Sequence, residues 1–400
     1  MTAIRSYLKA LCLCLGAALL ASLLINLWAD PCRVLPTPLQ SEALDPYRGP
    51  PGRHRTTKCG FVRSAPSIGV ALIGSSRVGS GLDPFDPRWG RDDVYNLSYP
   101  AGYFYENEAM FRYLVEHQQP ELVILGLDPG DLSSDFDSRG IGDFAGSPMG
   151  PDKTALDREI RYLFGISSLE ASVDVISRSM SEDLPEFDAR GYLRRPPQPS
   201  MSQREFLELA IRGESMFDFP DAVRRSDPLD PEKAELLHKL ILTCRERDIR
   251  LILLLHPMHV LPHARPDAPP LLHFETERRL ITGLVAGLNA DAPADQQVDL
   301  WDFGDHHPIN CDPLPEGDGR MRYWTDFNHY SAEVGGAMLA RMLGWPMELE
   351  AARDYGIRLT PENFDGWVER SKEGYRRYIS GPGIPDLEWK ERIIRETRGG

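Results

Sequence analysis

Two hydrophobic rhythms alternate along the chain. Short apolar runs, partly β-branched, occur at 68–73, 122–127 and 250–255, with more mixed strand candidates at 94–98 and 298–303. Runs of this length and composition predict strands buried on both faces. Between them apolar residues return every three or four positions. Ala109, Met110, Tyr113 and Leu114 share one face of a helix predicted over 106–117, and similar spacing predicts helices over 231–247 and 275–288. A closing helix is expected over 331–343, with Ser331 as its N-cap and Val334, Met338, Leu339 and Met342 on its inner face. Alternation of strand and helix predicts an α/β fold: a mostly parallel sheet with right-handed crossovers, sandwiched by helices in three layers. The run at 298–303 is expected to be the last strand.

The rhythm fails in three places. Residues 30–66 are rich in Pro, Arg and Gly and read as a linker. The α/β domain is expected over 67–346, with an insertion at about 130–228 that is polar and carries helical patches at 156–180 and 203–213. This insertion is expected to cap or border the site. The charged, aromatic stretch 347–400 reads as a peripheral tail.

Residues 1–29 have a pattern of their own. Arg5 and Lys9 precede an uncharged run, 10–28, in which only Ser22 and Asn26 are polar. That length is close to the roughly 20 residues that cross a bilayer. The basic flank places the N-terminus in the cytoplasm and the remainder outside it, in the periplasm or its equivalent. A cleaved signal peptide is the rival reading. The length of the run and the lack of a small-x-small site before Asp30 favour an uncleaved signal anchor in the plasma membrane.

Composition adds less. The 400 residues are 42% hydrophobic with a net charge of -15. This is ample for a large core, and it lacks the basic stripe of a nucleic-acid-binding surface. Of six cysteines, Cys12 and Cys14 lie in the anchor. Cys32, Cys59, Cys244 and Cys311 would meet an oxidising compartment, and Cys32 with Cys59 is the expected disulfide, buried free thiols being the alternative.

The chemistry concentrates at strand ends. Gly74-Ser75-Ser76-Arg77 follows the first strand as a tight turn, at the sheet edge where open α/β folds place their ligands. Asp326 and His329 lie three apart just before the closing helix. A serine hydroxyl needs a base, and a histidine held by a carboxylate is the usual one. The backbone amides of Ser76 and Gly102 are the candidate oxyanion donors. Arg77 is either a solvated helix-start residue or a contact for an anionic substrate. Asn96 either satisfies its own turn or serves the oxyanion. Asp128, at the end of the third strand, is a pocket candidate. His256 and His259 follow the fourth strand as substrate-lining candidates. A metal is not expected, since His263, His306 and His307 show no recognised ligand spacing with them. Asp302 is either a turn residue or a second partner for His329. Tyr99, Tyr103, Phe104 and Tyr105 either stack on sugar rings or pack the core.

The order Ser, Asp, His, with the last two as Asp-x-x-His, resembles the SGNH/GDSL hydrolase superfamily from about residue 68 to 343. Gly74-Ser75-Ser76 stands where that superfamily has Gly-Asp-Ser, and Asn96-Leu97-Ser98-Tyr99-Pro100-Ala101-Gly102 resembles its glycine block. The Gly-Ser-Ser variant on a membrane anchor is similar to the proteins of teichoic-acid D-alanylation and alginate-type O-acetylation. The resemblance implies Ser76 as nucleophile, His329 as base and Asp326 as its orienter. It implies an O-acyltransferase or acyl esterase on an envelope polysaccharide, without cofactor, and for a transferase an acyl donor presented by a membrane-bound partner. One block departs: Gly126-Leu127-Asp128-Pro129 stands where the superfamily has Gly-x-Asn-Asp. Asn96 or Arg77 then replaces the lost donor, or Asp128 is protonated, or the chemistry is lost. The last case would leave a degenerate binding or scaffold protein of a polysaccharide export system.

Overall fold

The computed structural model describes residues 2–35, 37–133, 142–150, 154–194, 201–213, 229–265 and 275–398. The apolar N-terminal run forms α1 (Thr2–Ala29), and α2 (His54–Ser64) follows. The alternating part comprises β1 (Val70–Ile73), α3 (Ser76–Gly81), β2 (Val94–Asn96), α4 (Phe104–His117) and β3 (Leu122–Leu127). The insertion contributes α5 (Ala155–Phe164), α6 (Ile166–Ser181) and α7 (Gln203–Arg212). Then come α8 (Pro231–Glu246), β4 (Arg250–Leu255), α9 (Glu275–Asn289), β5 (Asp299–Asp302) and α10 (Ala332–Leu343). The chain closes with β6 (Ile357–Arg358), α11 (Pro361–Ile379) and α12 (Ile384–Arg398).

The six strands form one sheet in the order β2-β1-β3-β4-β5-β6, parallel except for β6, which runs antiparallel to β5. The expected α/β architecture is present, with helices on both faces. Side chains alternate between the faces with the two-residue period of a strand. Ala71, Ile73, Val123, Leu125, Leu251 and Leu253 join the core under α2, α4, α8 and α9. Val70, Leu72, Ile124, Ile252 and Leu254 join the core under α10, α12 and the loop before α10. The chain moves from β1 outward to β2 and then back past β1 to β3. The reversal falls between β1 and β3, at whose carboxyl ends open α/β sheets place their ligands.

Three expectations are corrected. Residues 30–66 are not a simple linker, because α2 is built into the core. Cys59 and Val62 pack against the sheet, and Arg55 Nη2 meets the buried Glu106 carboxylate of α4 at 2.8 Å. Fully buried Lys58 donates from Nζ to the carbonyl of Asn96 at 2.8 Å and also to that of Gly191. Its ammonium lies 3.8 Å from the centre of the Phe187 ring. Burial pushes the Lys58 pKa well below its ordinary value. Residues 347–400 are not peripheral either. β6 extends the sheet beyond the strand expected to be last, and Trp367, Tyr375, Tyr378, Leu387 and Trp389 are buried. Cys32 and Cys59 are both buried and no disulfide joins them; the Cys32 sulfur accepts from Thr57 Oγ1 at 3.7 Å. Stretches 134–141, 151–153, 195–200 and 214–228 of the expected insertion lie outside the described residues.

α1 is the one described helix long and apolar enough to cross a membrane, over Ile4–Ala29. Its sides are exposed over most of their length. The last turns are different: Asn26 and Ala29 are fully buried against the rest of the protein.

The integration of α2 is testable. Lys58→Met removes the donor to two buried carbonyls and is expected to lower the unfolding free energy by about 1–3 kcal/mol, read by denaturant titration. An unchanged midpoint would mean that α2 is a tether after all.

Candidate active site

The turn after β1 is set by its glycine. Gly74 has φ of +156°, and a Cβ there would lie 2.6 Å from Val78 Cγ2. Ser75 then caps α3, its side chain accepting from the Arg77 amide at 3.3 Å. Ser76 is therefore the first residue of α3, at the carboxyl end of β1. Its backbone N–H stands in the first turn, where a helix has no intrahelical acceptor to offer.

The second half of the site is a short loop before α10, closed by an antiparallel bridge between Trp324 and Tyr330. Asp326 Oδ1 accepts from the backbone amides of Asn328 at 2.8 Å and His329 at 2.9 Å. These contacts fold the Asp-x-x-His segment back so that both side chains point the same way. The Trp324 indole donates to the Ile309 carbonyl at 2.7 Å and ties the loop to the core. α10 brings the loop to α3 through a glycine contact: a Cβ on Gly335 would lie 1.7 Å from the Gly81 carbonyl oxygen.

The result joins three side chains from opposite ends of the chain. Ser76 Oγ lies 2.8 Å from His329 Nε2. His329 Nδ1 lies 2.8 and 2.7 Å from the two carboxylate oxygens of Asp326. An ionised carboxylate only accepts, so Nδ1 carries the ring proton and Nε2 is left to accept from the serine. This is the connectivity that lets a serine lose its proton as it attacks.

Arg77 and Asp128 complete the floor of the site. Arg77 Nη1 pairs with Asp128 Oδ1 at 2.8 Å. Its Nε donates to the Asn328 carbonyl at 2.9 Å and its Nη2 to Asn328 Oδ1 at 3.2 Å. These donors tie β3 to the Asp-x-x-His loop, so Arg77 is not a solvated helix-start residue. Asp128 also accepts from Ser75 Oγ at 3.0 Å. Burial works to raise its pKa, but the Arg77 charge and these hydrogen bonds prevail and hold it below the usual carboxylate range. The protonated alternative is thereby corrected: Asp128 is ionised, and its charge is matched by Arg77. The neighbouring Asp131 is pushed well above its ordinary value by burial and by the Asp128 charge.

Other candidates lie elsewhere than expected. Asn96 is fully buried. Its amide donates to the carbonyls of Val78 and Leu82, both at 2.9 Å, and its oxygen accepts from Ser98 at 3.2 Å. It braces α3 against β2 with its amide donors committed. The Gly102 amide donates to the Tyr99 carbonyl at 3.1 Å, so of the two expected oxyanion amides only that of Ser76 remains. His259 is fully buried, with its ring bonded to the Asp312 carbonyl at 2.8 Å and the Leu261 amide at 3.3 Å. Its own amide donates to the Phe327 carbonyl at 3.2 Å, which supports the loop. It lines no open surface.

His256 is likewise fully buried, and burial pushes its pKa down to about 4. The Tyr330 hydroxyl lies 3.3 Å from His256 Nδ1, within hydrogen-bonding distance. The other His256 ring nitrogen, Nε2, is a buried atom with no hydrogen-bond partner. Asp302 is held by Arg278 at 2.6 Å and by the Gly304 amide at 2.6 Å, so it is a structural residue and not a partner of His329. Tyr99, Phe104 and Tyr105 are core residues. Among the described residues no three His, Cys, Asp or Glu side chains converge as metal ligands would. Sequence reasoning overlooked Ser75 and Asn328, whose roles arise only from contacts made across the fold.

The chain matches no protein-family model and no curated protein. The reading of the site therefore rests on its own geometry.

The charge state of Asp128 generates a pH prediction. Its folded pKa is depressed, so its contribution is complete above the unfolded value of about 3.9 and is lost as the pH falls below it. Asp128→Asn is expected to unfold at a lower temperature than the parent at pH 7, with the gap closing below about pH 4. A gap that persists at pH 3 would show that the ion pair is not its cause.

Proposed function

We propose that the chain is a serine-dependent acyl esterase or O-acyltransferase of the SGNH/GDSL kind. The observation that carries this reading is the continuous Ser76–His329–Asp326 hydrogen-bond chain at the carboxyl end of β1. In the first step Ser76 Oγ attacks an acyl ester carbonyl while its proton passes to His329 Nε2. Asp326 stabilises the imidazolium. The Ser76 amide donates to the carbonyl oxygen as it becomes negative. His329 then returns the proton to the leaving alkoxide as the ester bond breaks, which leaves the acyl group on Ser76. In the second step a sugar hydroxyl or a water molecule gives its proton to His329 and takes the acyl group.

An envelope polysaccharide as acceptor is supported by the sequence resemblance together with the apolar helix α1, which suits a protein tethered in the plasma membrane with its domain outside the cytoplasm. A membrane-bound partner that presents the donor accords with that setting. The chemistry asks for no metal or organic cofactor.

A second reading has one specific observation in its favour. Where the superfamily has an asparagine donor, this chain has the ionised Asp128 locked to Arg77, and the Gly102 amide is already committed. An oxyanion would find few donors, which favours a binding or scaffold protein of a polysaccharide export system that retains the serine and histidine without turning over.

Hydrolysis of p-nitrophenyl acetate by the full chain in detergent separates the two. The parent is expected to turn over the ester, with Ser76→Ala slower by at least about 10³-fold, and a fluorophosphonate is expected to add to Ser76, read by peptide mass spectrometry. Equal rates in the two proteins would overturn the nucleophile. No turnover and no labelling in either would favour the scaffold.

A further inference from the structure

We infer that α5 and α6 form a membrane-contact surface that seats the domain on the same bilayer α1 crosses. This inference rests on the reading of α1 as a membrane span and is independent of the chemistry at Ser76.

The argument begins with length. The last charge before the apolar run is Lys9, and the next is Asp30. A helix rises about 1.5 Å per residue, so the hydrocarbon core, about 30 Å thick, takes up about 20 residues. The interval between Lys9 and Asp30 is thus fully used by the crossing, and the final turns of α1 reach the outer boundary of the hydrocarbon. Trp28, half exposed near this end, is the residue type that settles at such a boundary.

Those final turns are the ones that α5 and α6 embrace. Asn26 donates from Nδ2 to the Leu163 carbonyl at 2.8 Å and accepts from Ser172 Oγ at 2.8 Å. Ala29 packs with Val175 and Leu44. Just beyond, the Tyr162 hydroxyl donates to Asp30 at 2.7 Å and accepts from the Cys32 amide at 3.0 Å. A polar side chain in an apolar helix is costly unless satisfied, and Asn26 is satisfied by these two helices. They are therefore held beside the end of the span, at the depth of the headgroups.

Their outward faces suit that depth. Leu156, Ile160 and Phe164 recur every fourth residue on α5 and are 65%, 48% and 39% exposed. On α6, Ile166 and Val173 are 77% and 55% exposed. By contrast α7, α8, α9 and α12 each expose one large apolar side chain. An amphipathic helix with an apolar stripe at this level lies in the plane of the interface with that stripe in the acyl chains. Continuity with α1 selects lipid as the occupant.

The test uses the full chain in vesicles of phosphatidylcholine and phosphatidylglycerol, with Cys12, Cys14 and Cys311 replaced by serine. A spin label is placed in turn on Ile160→Cys, Ile166→Cys, Leu20→Cys in α1, and Leu242→Cys on the exposed face of α8. Collision rates with oxygen, which partitions into lipid, are compared with those for a water-soluble nickel chelate. The labels at 160 and 166 are expected to show oxygen-to-nickel ratios several-fold above that at 242 and approaching that at 20. If 160 and 166 resemble 242 while 20 remains in lipid, the span stands and the contact surface is overturned; the apolar face then belongs to a protein partner. If 20 itself is in water, the span reading fails and the inference fails with it.

Discussion

The site depends on the Arg77 guanidinium more than on any other group. It reaches one element with each arm: the end of β3 through Asp128, and the Asp-x-x-His loop through the backbone and side chain of Asn328. The serine it adjoins and the histidine it steadies come from separate turns, which the Ser76–His329 hydrogen bond also joins. A planar fork of fixed geometry is the suitable tool, because each donor it commits removes freedom from a separate piece of backbone. The same clamp explains how a carboxylate can stand beside Ser75 and Ser76. Asp128 is not a bare anion but half of a pair, and the pKa of the neighbouring Asp131 is pushed well above its ordinary value by burial and by that charge.

The sheet explains why these turns meet. With β1 flanked by β2 and β3, the turns that follow β1 and β3 lie side by side, and Ser75 and Arg77 reach Asp128 across them. α3 and α10 then approach through Gly81 and Gly335, which leaves only backbone between them and brings the loop within reach. Beneath, His256, Tyr330 and His259 are fully buried supports. They matter to the site through the loop they hold, as positioning residues whose rings face the core.

Much of this was legible in the amino-acid pattern. All five parallel strands, α4, α8, α9 and α10 with its Ser331 cap follow from apolar spacing, because each buries one continuous face. The Ser76, Asp326 and His329 set was legible because each sits at a strand end or before a helix, where pattern alone places it. α2 was not legible. Its sequence, His-Arg-Thr-Thr-Lys-Cys-Gly-Phe-Val-Arg-Ser, is polar, and its burial depends on partners in distant segments: carbonyls that receive the Lys58 amine and the Glu106 carboxylate that pairs with Arg55. α11 carried a readable stripe, Phe364, Trp367, Val368, Ser371, Tyr375 and Tyr378, but the surrounding charges masked it. Asn96 and Gly102 failed as donors for a different reason. Their residue types suited the task, but their hydrogen bonds were taken by neighbours that no one-dimensional pattern reveals.

The distance along the chain between Ser76 and His329 is 253 residues. A chain made from its N-terminus at several residues per second carries Ser76 out of the ribosome long before His329 exists. Until α10 has been synthesised and has settled against α3, Ser76 is an ordinary alcohol. The order of residues thus works as a timer. On the reading proposed above, a serine nucleophile would be assembled only once the greater part of the domain had been made and had closed.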